Sequence, residues 1–474
     1  MRLQTSSSVE SRPKRALHQQ YFPWPQRDLN PGLLLDSGLY EGEPETCRRS
    51  WRPFVRNFLY LALLLAVFKV YRIEERAFQG RAFQMLVTLA LAALPVHYMA
   101  PFRWKKPLFV AISILGLFCV CGAQVAAIVL GLATVLIGIC FLPIPWTLRA
   151  ALMGALALAL ALARSGLSRT VIPDNVLPIV ASMFMFRMLI YLYELKHVKT
   201  RETLVDTLGY FFLLPNYCFM HFPVVDYRTM QRGYFAVDIH DVQRRGLQMM
   251  LRGTVHLLFY RLVYHEMLIP AGRVHDLASL CGYMVCNYLL YLQVSGQFHI
   301  ACGMLQLFGF QLPETHHHYL LATGFTDYWR RINIYWKDFM VRVFFNPVVF
   351  RLKRWPQPLA LAIATISVFL ATWILHAYQS YWLRGSWGFS VPDALFWGIL
   401  GGLVMVNVQL DARRSRAKGR AAGRGGARPT LRFLAVRSLK VAATFTTIAV
   451  LWSLWSSPSL SEWLNMLNRG FHGS

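Results

Sequence analysis

Apolar runs about as long as a bilayer is thick recur along this 474-residue chain, separated by short loops rich in arginine and lysine. A spanning helix needs roughly 20 mostly apolar residues. Runs near 57–71, 83–102, 107–123, 124–143 and 145–163 meet or approach that length, and the last contains the alanine and leucine stretch 150–163. Extended to the end of the chain, the same reading predicts roughly ten to twelve spans. Composition agrees, with 55% hydrophobic residues, only 15% charged residues and a mean hydropathy of +0.38, which argues against two or three soluble domains. The 49 basic residues against 23 acidic ones give a net charge of +26. In a soluble protein that would suggest a nucleic-acid partner. Here the positive charge sits between apolar runs, as it does in cytoplasmic loops, so the expected partner is membrane lipid and no nucleic acid.

Residues 1–50 are polar and lack the apolar core of a secretory signal peptide. The basic stretch 49–56 adjoins the first span, which places the N-terminus in the cytoplasm. The tracts at Arg103, Lys105 and Lys106, at 196–201 and at 413–432 are expected on the same side. The last is rich in Gly, Ala and Arg and reads as a solvated linker able to meet anionic headgroups. A final run near 433–455 carries the C-terminus to the other side. Of the eight cysteines, Cys119, Cys121, Cys140, Cys281, Cys286 and Cys302 lie in apolar stretches and read as small hydrophobes. Cys119 and Cys121 are one residue apart on a helix and face different ways, and His316, His317 and His318 are consecutive. Neither set can converge on one ion from a regular element, so no metal site is expected.

Between 175 and 410 the apolar runs are interrupted, by Arg187, Pro215, Asn216 and His256 among others. Polar groups at membrane depth are costly, and broken helices survive there only where protein or a water-filled cavity covers them. The pattern predicts a cavity in this half. The stretch 325–347, FTDYWRRINIYWKDFMVRVFFNP, suits a helix at the cytoplasmic interface, with Trp329, Tyr335 and Trp336 at headgroup depth. Arg330, Arg331 and Lys337 then either attract the phosphates of a nucleotide-bearing donor or simply anchor the helix. Farther on, in 371–382, ATWILHAYQSYW, His376 lies inside an apolar and aromatic run. It is either a packing residue or a base, since histidine is the side chain suited to take a hydroxyl proton near neutral pH.

These stretches resemble the membrane-bound O-acyltransferases, in particular the bacterial branch with the alginate O-acetylation and teichoic-acid D-alanylation membrane proteins. The run 177–197 is similar to the helix that begins the family's core, and 211–230 to the re-entrant segment after it. The stretch 291–339 follows the family's order of Ser-Gly, Leu-Phe-Gly-Phe-Leu-Pro, Tyr-Leu-Ala-Thr and Trp-Arg-Arg. The resemblance covers 175–410. It implies an all-α polytopic fold with re-entrant and interfacial helices, divided into a cytoplasmic tail (1–55), N-terminal spans (56–174), a catalytic core (175–410), a basic loop (411–432) and a final span with its tail (433–474).

The resemblance also implies roles. His376 matches the family's catalytic histidine, and Asn333 its second polar residue. Arg330, Arg331, Lys337 and Trp329 become the candidates for holding the donor, and His299, Ser295, Tyr328 and Gln379 for lining a substrate tunnel, although His299 reads more readily as a satisfied core histidine. The implied reaction moves an acyl group, acetyl by analogy, from a cytosolic thioester to a hydroxyl of an extracytoplasmic glycan or envelope polymer. Acetyl-coenzyme A or an acyl-carrier thioester is the donor substrate, no bound cofactor is expected, the compartment is the inner membrane, and an extracytoplasmic enzyme completes the transfer. Three positions depart from the pattern: Ala377 follows the histidine where glycine is usual, His299 replaces an aspartate, and Asn333 stands where close relatives often have histidine. These bear on the substrate more than on the reaction. A transporter or flippase with Arg187, His299 and His376 along its pathway, or a scaffold of an envelope assembly complex, are the competing readings.

Overall fold

The computed structural model describes residues 45–47, 49–71, 81–166, 172–173, 175–197, 203–219, 225–419 and 431–473. Most of the expected N-terminal tail, the 198–201 part of one basic tract and the 420–430 part of the basic loop lie outside the described residues. Among the described residues every regular element is helical, and the single β-contact is an isolated bridge between Tyr234 and Phe310.

The N-terminal third forms α1 (Trp51–Tyr71), α2 (Ala82–Met99), α3 (Phe102–Cys121), α4 (Ala123–Phe141) and α5 (Trp146–Arg164). The interrupted region follows as α6 (Val176–His197), α7 (Leu204–Phe211), α8 (Tyr227–Gly233), α9 (Ile239–Leu262), α10 (Leu277–Leu289), α11 (Leu292–Leu307), α12 (Phe325–Arg331), α13 (Ile334–Met340) and α14 (Asn346–Arg351). The long helices α15 (Gln357–Arg384), α16 (Val391–Gly419) and α17 (Leu431–Trp455) and the short α18 (Leu460–His472) complete the chain. Among the described residues ten stretches are long and apolar enough to cross a membrane, α10 and α11 together making one of them, Leu277–Leu307. The protein is an all-α, multi-pass membrane protein.

The breaks expected between 175 and 410 are present. After α7 the chain makes a tight turn, Leu214–Tyr217, in which every residue is buried. Single π-helical turns interrupt the chain at Val263–Met267 and Val341–Phe345. The irregular backbone at Leu214–Tyr217 is tolerated because protein surrounds it, whereas His265, Glu266 and Met267 of the first π-helical turn are exposed. Arg187, one of the interrupting polar residues, lies on α6 and is satisfied by backbone, donating to the Tyr210 carbonyl at 2.8 Å and the Ser182 carbonyl at 3.2 Å. Glu194, also on α6 and only 4% exposed, accepts from Arg342 at 2.9 Å, while Arg342 reaches Asp226 at 3.4 Å. Three segments distant in sequence are thereby tied at one point.

The basic tract at 103–106 is only partly free to meet solvent. Arg103 is exposed, but Lys105 is buried and donates to the His97 and Tyr98 carbonyls at 2.7 and 2.9 Å. Those carbonyls belong to the last turn of α2, where a cation offsets the helix dipole and the unpaired acceptors. Lys106 pairs with Asp206 at 2.5 Å and Gln231 at 2.9 Å. Two of the three charges therefore have partners within the protein, because a long lysine side chain can carry its ammonium to groups on neighbouring elements.

At the centre lies α11, buried along most of its length, packed antiparallel against α9. Two reciprocal glycine pairs set the separation: a Cβ on Gly303 would come within 2.5 Å of the Gly246 carbonyl oxygen, and one on Gly253 within 2.6 Å of the Gly296 oxygen. Small residues let membrane helices approach this closely, so that dispersion replaces a hydrophobic drive that lipid cannot supply. Gln243 donates across the same seam to the Leu307 carbonyl at 3.2 Å. The consequence is testable by alanine substitution. Gly303→Ala and Gly253→Ala should each cost about 1–3 kcal/mol, the usual range for overpacking. Gly282→Ala, whose Cβ would meet nothing within 4 Å, should leave the thermal midpoint of the detergent-solubilised protein unchanged or higher.

Candidate active site

The segment 325–345 is positioned by its caps and its aromatic rings. The Phe325 backbone N–H donates to Asn407 Oδ1 of α16 at 2.8 Å, which fixes the start of α12. Trp329 packs on Phe369 of α15 (centroids 4.7 Å apart), and Trp336 on His376 of the same helix (5.7 Å). Trp336 follows Trp329 by seven residues, as His376 follows Phe369, so the segment descends α15 by two turns, about 10 Å. The break between α12 and α13 falls at Asn333, whose φ is +38°. Asn333 Oδ1 accepts from the Trp336 N–H at 3.3 Å and caps α13. Asparagine suits both tasks, because it tolerates the left-handed region and is among the best N-caps.

The histidine and the Trp-Arg-Arg segment, 40 or more positions apart in sequence, are thus brought together. His376 is half-buried and faces three indoles: Trp397 of α16 at 4.7 Å, Trp336 of α13 at 5.7 Å and Trp455 of α17 at 6.2 Å. Gln379, one turn farther along α15, is half-buried as well. By helix rise His376 lies about 12 Å from the C-terminal end of α15 and about 28 Å from its start.

Other candidate residues fall differently. Trp329, Tyr335 and Trp336 are buried within the protein, as is Tyr328, so the rings expected at headgroup depth pack inward instead. The cations have acidic neighbours of their own. Arg331 donates to Asp327 at 2.7 Å, Lys337 pairs with Asp338, and Arg330 lies in the field of Asp411 and Asp327. Burial would raise the Asp327 carboxyl, but hydrogen bonds from Arg331 and Thr323 outweigh it and hold the group below its usual range. Burial pulls the Arg330 guanidinium below its usual value.

Ser295 and His299, both fully buried, belong to a second cluster on the α9–α11 seam. The Ser295 hydroxyl and His256 Nδ1 share a hydrogen bond at 2.9 Å, and His299 Nδ1 meets the Ser295 carbonyl at 2.6 Å. His316 Nε2 bonds to the Tyr291 hydroxyl at 2.9 Å, and burial pushes this imidazole well below its ordinary pKa. Of the consecutive histidines His316 is buried, while His317 is exposed, pairs with Glu314 at 2.8 Å and lies against His318 (ring centroids 4.9 Å apart). Ring contacts from Tyr291 to Trp452 (5.2 Å) and from Trp452 to Trp455 (5.0 Å) separate this cluster from the one around His376.

Sequence reasoning missed Trp397, Trp455 and Asp393, which accepts from the Trp455 indole N–H at 2.6 Å. The signal for Asp393 was present, since a carboxylate within an apolar span is costly and calls for a partner. Trp455 comes from the final span, which the sequence placed outside the core. Compared with known proteins, the chain matches no family model and no curated protein.

Asn333 can be tested apart from any activity. Asn333→Ala should lose about 1 kcal/mol for the cap and a further fraction of a kcal/mol because the asparagine side chain, unlike alanine's, hydrogen-bonds locally in the left-handed region. Asn333→Gly should lose only a few tenths of a kcal/mol. Thermal unfolding of the purified variants should therefore rank Ala below both Asn and Gly.

Proposed function

We propose that the protein is a membrane-bound O-acyltransferase and that His376 is its general base. The observation that carries this reading is the convergence of the 325–345 segment with His376, through Trp336, in a half-buried aromatic setting. The acceptor hydroxyl gives its proton to the imidazole as its oxygen attacks the thioester carbonyl, and the imidazolium then returns the proton to the departing thiolate. The faces of nearby indoles favour a cation within about 6 Å, so the Trp397 ring at 4.7 Å stabilises the imidazolium of the transition state. Asn333 serves this reaction as the residue that orients α13 and hence Trp336.

The donor we infer is acetyl-coenzyme A, with a carrier-bound thioester second. Its phosphates would approach Arg330, Arg331 and Lys337, where they would compete with Asp327 and Asp338 for the same donors. The acceptor in this reading is an extracytoplasmic glycan or envelope polymer, met at the inner membrane with the help of an external partner acyltransferase. The longer reach along α15, about 28 Å from its start, then lies on the donor side, and the thioester arm must enter the protein to meet the histidine.

The decisive assay supplies labelled acetyl-coenzyme A to purified protein and follows label transfer and thioester cleavage. His376→Ala should lower turnover by about 10²–10⁴-fold, the usual contribution of a general base. Equal silence of wild type and variant with every thioester offered would sink the enzymatic reading and leave transport as the function to assay.

A further inference from the structure

Asp393 stands in the first turn of α16, where Ser390 Oγ accepts from its backbone N–H at 3.2 Å. It is 9% exposed and accepts two indole N–H groups, from Trp373 of α15 at 2.5 Å and from Trp455 of α17 at 2.6 Å. One carboxylate thus joins three long helices. A buried carboxylate in an apolar span is expensive, and here the cost is offset by two charge-assisted hydrogen bonds and by the positive end of the α16 dipole. Both oxygens are committed, one to each indole.

The rings so held include one that touches the histidine. Trp455 contacts His376 and Trp397 (6.2 and 5.9 Å) and stacks on Phe396 at 4.8 Å with planes 13° apart. Trp397, which makes the closest of the three indole contacts with His376, lies one turn beyond Asp393 on the same helix. A carboxylate accepting an indole N–H also pushes electron density into the ring, and that deepens the ring's attraction for a cation.

We propose that Asp393 is a positioning residue for His376, acting through a tryptophan box: one carboxylate oxygen fixes the Trp455 indole that faces the imidazole, and the other ties Trp373 of α15 to the same point. This rests on His376 being the base. Asparagine at this position keeps one acceptor but turns its NH₂ toward the second indole N–H, so two donors face each other.

The test compares wild type with Asp393→Asn in two readouts. The first is acyl transfer, where the maximal rate should fall on the order of 10–100-fold, with the KM for the thioester little changed, because misplacing a reacting group costs that much. The second needs no acyl transfer: carbethoxylation of His376 by diethylpyrocarbonate, followed by mass spectrometry, should run at least about twofold faster once the box loosens, as a hydrogen bond of this kind is lost. Unchanged maximal rate and unchanged carbethoxylation in a folded variant would overturn the proposal. If Asp393→Asn does not yield monodisperse protein, Trp373→Phe decides. That substitution removes one donor to Asp393 from a ring that packs on Phe389 and is not one of the three around His376, and it should shift both readouts in the same direction by a smaller factor. No change in either readout for Trp373→Phe then overturns the proposal. A wild type without turnover on any thioester defeats the acyltransferase reading alone, and the carbethoxylation rates still decide Asp393.

Discussion

In a bilayer the protein cannot leave a polar group to water, and the arrangement of this chain follows from where such groups find partners. Lys105 turns back to the carbonyls at the end of α2, Arg187 reaches two backbone carbonyls, and Glu194 meets Arg342 across 148 positions. Each of these contacts joins segments that apolar packing alone would leave free to slide, because lipid tails are as apolar as leucine. The close α9–α11 seam supplies the complementary element. Paired glycines bring two backbones together, and the side chains that flank the seam, Gln243, Ser295 and His256, then find partners across it.

Much of the fold was legible because hydropathy and length are one-dimensional signals. The expected runs at 83–102 and 145–163 correspond to α2 and α5 with shifts of a few residues. The first span begins earlier than expected, at Trp51, because helical backbone continues through the polar turn that precedes the apolar run. Pairwise information was harder to read. Gly246 and Gly253 are seven apart, as are Gly296 and Gly303, but that spacing becomes a contact only when the two helices lie antiparallel in one register, which neither run specifies alone.

The candidate site divides along the same line. His376 and the Trp-Arg-Arg segment could be linked by motif order, whereas Asp393 and Trp455 are 62 positions apart and on different helices. A tryptophan near the end of an apolar span reads as an interfacial anchor, so Trp455 carried no mark of its partner. Asn333 was legible as a polar residue that had to be there, and the geometry supplies a local reason: a positive φ and an uncapped helix start occur at the same position.

The two histidine clusters show why burial alone does not select a base. His299 is wholly buried, with Nδ1 against the Ser295 carbonyl, and His316 is buried with its Nε2 on the Tyr291 hydroxyl. These buried contacts suit a role in holding α9, α11 and the 313–319 loop together. His376 differs in two respects. It is half-buried rather than sealed, and its neighbours are indole faces, which favour the protonated ring that the proposed base would become. The carboxylate of Asp393 accepts from the N–H edge of one of those indoles, Trp455, and so holds that ring against the imidazole.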